Sequence, residues 1–185
     1  MNKILVLILF SLLLIAKDGA VTKDKIIELY QKKEYEKLCH LGYRNFKSIR
    51  NDQNLISLYA FSCLYADYID RLAIPIIALS KTKEARQNRT YFSLILTQKN
   101  MLYSSIIDHI PIEGIQLPMT DHVISRVSHL YFQNLYTKKD GHYFLHDPND
   151  PKITYEVYQE KSRYNRPFLI IEEHIGSTII KHKFL

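Results

Sequence analysis

The longest apolar stretch of the chain lies at its start. From Ile4 to Ala16 only Ser11 interrupts a run of aliphatic and aromatic side chains, and Lys3 precedes it. As a helix, a run of thirteen residues spans about 20 Å, short of the ~30 Å hydrocarbon core of a bilayer. A basic start, a short apolar core and small residues at Ala16 and Ala20 predict a secretory signal peptide over residues 1–20, with an N-terminal anchor through residues 4–16 as the alternative. A helical period follows. Ile26, Ile27, Leu29 and Tyr30 share one face, and Tyr35, Leu38, Cys39 and Leu41 resume it after the polar break QKKE, so residues 24–49 hold two helical stretches. Asn51 and Asp52 can cap a helix over 55–66 whose packing face is Leu58, Tyr59, Phe61, Ser62 and Tyr65. The next segment, 69–79, contains Pro75 and is expected to bend or restart there. A further helix pair is expected over 83–98 and 100–109, stopping before Pro111.

Beyond Pro111 the pattern changes. Residues 113–119 form a linker with Gly114 and Pro118. Thr120-Asp121 then caps a helix to about Leu135, with Val123, Ile124, Val127, Leu130 and Tyr131 on its buried side. From Lys138 the period shortens to two. His142–His146, Ile153–Tyr158, Phe168–Ile171 and Ser177–Phe184 read as strands, with turn signals at Asp140-Gly141, Asp147–Pro151 and Arg163–Pro167. Three or four antiparallel strands need a cover for their apolar face, and the 120–135 helix is the nearest one. The expected fold is mainly α and α+β overall: helical hairpins over 21–112, then a small helix-plus-antiparallel-sheet domain over 113–185.

The helical half also repeats. At an offset of thirty-four residues, Tyr35-Glu-Lys-Leu38-Cys39 aligns with Ile69-Asp-Arg-Leu72-Ala73 and then with Tyr103-Ser-Ser-Ile106-Ile107. The pairs Ile26-Ile27, Ala60-Phe61 and Leu94-Ile95 share that offset. At LYQKKEYEKLC and LYADYIDRLA the chain resembles the tetratricopeptide-repeat family, in which an aromatic precedes a small residue around the turn between two helices. Cys39 and Ala73 fit the small position; Ile107 does not. The resemblance implies a short solenoid over residues 21–112 whose surface binds proteins or peptides, with no catalytic residue carried over.

An exported chain is removed from ATP, NADPH and nucleic acid, which narrows the function classes. The net charge of +6 is spread along the sequence, as on a solvated surface, although it also suits an anionic lipid or cell-wall polymer. The two cysteines, Cys39 and Cys63, either form a disulfide, as an oxidising compartment favours, or sit as small hydrophobes in helices. No P-loop, nucleophile elbow or GxGxxG is present, and no cofactor is implied. Glu172, Glu173 and His174 are neighbours whose side chains alternate between faces, which argues against convergence.

These observations point to a non-enzymatic, periplasmic or otherwise exported adaptor. It would contact other envelope proteins in an assembly such as a flagellar motor or secretion machine, with Tyr30, Arg44 and Tyr59 as candidate contacts. The alternatives are an exported metal-dependent hydrolase, using His122 and His129 from one helix with His142 and His146 from one strand, and a binder of lipid or cell-wall polymer.

Overall fold

The computed structural model describes residues 22–185; the predicted leader lies outside the described residues. Among these, no helix is long and apolar enough to cross a membrane. The fold is α+β. Thr22 caps α1 (Lys23–Gln31), its hydroxyl accepting from the Lys25 N–H. The helix ends with Lys33 in the left-handed region (φ 56°), where the Lys33 and Glu34 N–H groups donate to the carbonyls of Tyr30 and Leu29. The chain reverses into α2 (Tyr35–Arg44), followed by the short α3 (Phe46–Ile49) and by α4 (Gln53–Tyr65), which Asp52 caps through the N–H groups of Asn54 and Leu55. The first turn then recurs thirty-four residues on: Asp67 has φ 61°, and Asp67 and Tyr68 donate to Leu64 and Cys63. A 3-10 turn (Ile69–Leu72) leads into α5 (Ala73–Ala78), with Pro75 in its first turn, where a missing N–H costs no helical hydrogen bond.

Helix α6 runs without interruption over Lys83–Ile106, where a break was expected between residues 98 and 100. The apolar period continues straight through, as Phe92, Ile95, Leu102 and Ile106 are all buried. Gln98 and Lys99, polar in sequence, are buried beside them because each has a distant partner. Gln98 donates to the Pro118 carbonyl (3.0 Å), and Lys99 reaches Asp70 (2.6 Å) and the main-chain oxygen of Leu185.

Helix α7 (Val123–Phe132) is capped by His122, not by Thr120 or Asp121. The Thr120 hydroxyl is taken by the His122 N–H, and the Asp121 carboxylate by the Tyr91 hydroxyl. Five antiparallel strands follow in sequential order: β1 (Tyr136–Lys139), β2 (His142–His146), β3 (Ile153–Lys161), β4 (Pro167–Ile175) and β5 (Thr178–Phe184). Asp140 and Gly141, both with positive φ, make the tight turn between β1 and β2. Tyr143, Leu145, Tyr155, Val157, Leu169, Ile171 and Phe184 form the sheet's inner face, and α7 and α6 cover it. Buried residues of the helical half and of the sheet belong to one continuous core.

The two cysteines are joined. Cys39 on α2 and Cys63 on α4 form a disulfide at a Cα separation of 4.7 Å, with both residues fully buried. Nearby, the helices approach closely enough that Gly42 lies flat against the Tyr59 ring.

Candidate functional site

Three places bring polar or aromatic groups together. The first is a groove of about 480 Å³ between the two left-handed turns, lined by Lys33, Tyr35, Lys37, Tyr65 and Tyr68 among others. The Tyr35 and Tyr65 rings meet at 4.8 Å, and half of Tyr65 remains exposed. Tyr30 extends the set, 5.6 Å from Tyr35, while Phe61 links Tyr65 to Tyr91. Burial, with the neighbouring Tyr65 and Tyr35, pushes the Tyr30 hydroxyl up to about 12, so Tyr30 stays uncharged at neutral pH. The result is a strip of aromatic surface rimmed by Lys and Glu. Tyrosine suits protein interfaces because it offers large area with few rotatable bonds.

The second place is the seam between helices and sheet. Nδ1 of His182 in β5 lies 3.0 and 3.1 Å from the two oxygens of the Asp67 carboxylate, and its buried Nε2 has no partner among the described residues. Burial pulls the His182 pKa down, but the Asp67 hydrogen bond and charge, with Glu173 behind them, outweigh it and leave the pKa raised. His122 faces the same pair. Burial and the charge of His182 hold it down at about 4, against the pull of Asp67 and Asp121. Its Nδ1 accepts from the Ile124 N–H at 3.2 Å, so the capping role requires the unprotonated ring.

The two histidines therefore act with opposite signs. Between pH 6.5 and about 4 the unfolded chain binds a proton at His122 that the folded chain refuses, so stability falls as pH falls through this window. His182, with its raised pKa, contributes fully below its unfolded value and loses that contribution as pH rises through the folded one. The unfolding free energy obtained from urea titrations is expected to drop between pH 7 and pH 5 by about 2 kcal/mol more in the unaltered protein than in His122→Asn, which keeps a capping acceptor without a titrating ring. Parallel pH profiles for the two proteins would show that His122 is not the acid-labile group.

The third place is the outward face of the sheet. Glu156 of β3 stands directly opposite Glu172 of β4, and His174 lies two residues further along that strand. Their ligand atoms all fall within 4.8 Å of one another. Alternation does send Glu173 to the other face, as expected, but it keeps Glu172 and His174 together. Glu156 joins the group only through strand register, which no local sequence pattern conveys.

The expected sites fare differently. Tyr30 belongs to the aromatic strip and Arg44 is exposed in the last turn of α2. Tyr59 is fully buried, against Gly42 and 6.2 Å from Phe46, and is thereby withdrawn as a surface contact; its spacing marked the core, not the outside. The four-histidine cluster does not form. His122 caps α7 and His129 lies on it; the helix packs on the Tyr143 face of β2, whereas His142 and His146 point from the opposite face, so the sheet separates the two pairs. His129 lines a cavity of about 320 Å³ beside Gln98, and His146 is exposed. The chain matches no protein-family model, no curated protein and no solved structure.

Proposed function

We propose that this protein is an exported, non-enzymatic adaptor that docks a segment of a partner envelope protein in the tyrosine-lined groove between its two left-handed turns. The observation that carries the reading is the groove itself: equivalent turns at Lys33 and Asp67 bring Tyr35 and Tyr65 to one opening, 4.8 Å apart. A short tetratricopeptide-like stack of two units, α1–α2 and α4–α5, is supported by the repeated turn hydrogen bonds at that thirty-four-residue spacing. Arg71 reinforces the stacking of the second unit on the first. Its guanidinium is 3.0 Å from His40 Nδ1 and lies over the rings of Tyr68 and Tyr43. Export is supported by the leader pattern over residues 1–20 and by the Cys39–Cys63 disulfide, a bond that oxidising compartments maintain.

The test is photo-crosslinking within the native envelope fraction, from a probe placed at position 37 on the groove rim. A discrete crosslinked partner is expected, reduced at least tenfold when Tyr35→Ser and Tyr65→Ser are combined, since truncating aromatic anchors costs about 1–2 kcal/mol or more each. A crosslink pattern unchanged by the double substitution, or recovery of the chain solely from the cytosol, sinks the proposal.

A further inference from the structure

We propose that the outward face of the sheet holds a divalent transition-metal site whose protein ligands are Glu156, Glu172 and His174. The donor set mixes two carboxylates with one imidazole, a combination suited to ions of the Zn²⁺ and Mn²⁺ type rather than to Ca²⁺, which takes oxygen ligands throughout. Three arguments meet here.

The first is electrostatic. Glu156 and Glu172 are directly opposite in the β3–β4 register, a cross-strand placement that is unfavourable for like charges unless a cation intervenes. Lys181 is near, yet its ammonium is 3.8 Å from Glu172 and is already engaged by Glu160 at 2.8 Å. Standing opposite Glu172 in the β4–β5 register, it is divided among Glu172, Glu160 and the Tyr158 hydroxyl, while the partner of Glu156 is His142.

The second is geometric. His174 Nε2 stands 4.0 Å from Glu172 Oε2, too far for a hydrogen bond. Two metal–ligand bonds of about 2.1 Å meeting at a tetrahedral angle span about 3.4 Å. A side-chain adjustment of well under 1 Å therefore closes this pair around an ion.

The third is the supporting shell. Metal-bound carboxylates are held by hydrogen bonds from outside the ligand set. His142 Nδ1 lies 2.5 Å from Glu156 Oε1, and the Tyr158 hydroxyl donates to Glu172 Oε1 at 2.7 Å. His142 and Tyr158 also stack on each other at 4.5 Å, which fixes both donors. All three proposed ligands are only partly exposed, and the strands beneath them are paired along their length. Three protein ligands leave the coordination position facing solvent open to water. The site shares no residue with the groove between the helix turns and stands or falls independently of it.

Titration of the metal-free full chain with Zn²⁺, followed by calorimetry and by the imidazole ¹⁵N resonances, tests the site. One ion per chain is expected, with the His174 resonances shifting and those of His122 and His129 unmoved. His174→Gln and Glu156→Gln should each lower affinity at least a hundredfold, and Tyr158→Phe about tenfold; His146→Gln should leave it unchanged. The resonance test needs no substitution and so remains decisive where a variant folds poorly. Failure to bind Zn²⁺, binding that survives His174→Gln, or shifts confined to other histidines overturns the proposal.

Discussion

Replacing Gly42 with valine is expected to lower the melting temperature by about 6–12 °C, the largest effect of any single substitution considered. The position is inside α2, where glycine is ordinarily a weakness relative to alanine of about 1 kcal/mol. Here the missing side chain is what lets two helices meet. A Cβ built on Gly42 would stand 2.4 Å from Cδ2 and 2.6 Å from Cγ of Tyr59, well inside contact distance. These atoms are at the base of a fully buried ring, not at the end of a mobile chain, so Tyr59 has nowhere to turn. Overpacking of this kind costs about 3 kcal/mol, and valine recovers little of it through helix propensity. Thermal unfolding monitored by circular dichroism provides the measurement. A double-mutant cycle with Tyr59→Leu sharpens it, because shrinking the ring should remove at least about 1 kcal/mol of the penalty. A Gly42→Val protein that melts with the parent would mean that α2 and α4 do not approach as described.

The same glycine shows what local sequence signals convey and where they stop. Caps and turns are short-range devices, and several are legible by eye: Asp52 before α4, and Asp140-Gly141 between two strands, where positive φ at both positions calls for those residue types. The α+β character follows from a period that changes from helical to alternating at about Lys138. Helix continuity was harder. Gln98, Lys99 and Asn100 read as a polar interruption, whereas Gln98 Nε2 donates to Pro118 and Lys99 reaches Asp70 and Leu185, partners supplied from elsewhere in the chain. Strand β1 escaped notice because Thr137, Lys138 and Lys139 are exposed on a sheet edge and carry no alternating apolar signal.

Sites suffer more than elements from this limit, since chemistry gathers residues that are remote in sequence. Glu172 and His174 announce a shared face through their spacing, but Glu156 reaches them only when the register of β3 and β4 is known. Asp67 and His182 are separated by 115 positions, and no local pattern pairs them. The histidine quartet failed for a related reason. Helical spacing places His122 with His129, strand spacing places His142 with His146, and neither says on which side of the sheet the helix lies. Tyr59 repeats the lesson in miniature, because a tyrosine at core spacing and one at an interface look alike until the packing is seen.

Removing the Cys39–Cys63 bond by replacing both residues with alanine is expected to cost about 3 kcal/mol, and the melting temperature to fall by about 6–12 °C. The bond closes a loop across 24 positions, and releasing that loop enlarges the unfolded ensemble far more than it changes the folded one. A smaller part of the cost arises in the native state, where both sulfurs are fully buried between α2 and α4 and two small voids replace them. Burial adds a kinetic expectation. A reductant cannot reach the sulfurs without an opening of α2 away from α4, so reduction under native conditions should be slow and should accelerate in step with added urea. Alkylation of free thiols followed by mass spectrometry reads that rate directly. Gly42→Val, which strains the same helix contact, should accelerate it further. If dithiothreitol instead reduces the native protein at the rate of an exposed disulfide, or the double alanine variant unfolds at the parent temperature, the two helices are not held together by this bond. The contact of α2 with α4 would then have to rest on apolar packing, including Gly42 against Tyr59, and on Arg71 beside His40.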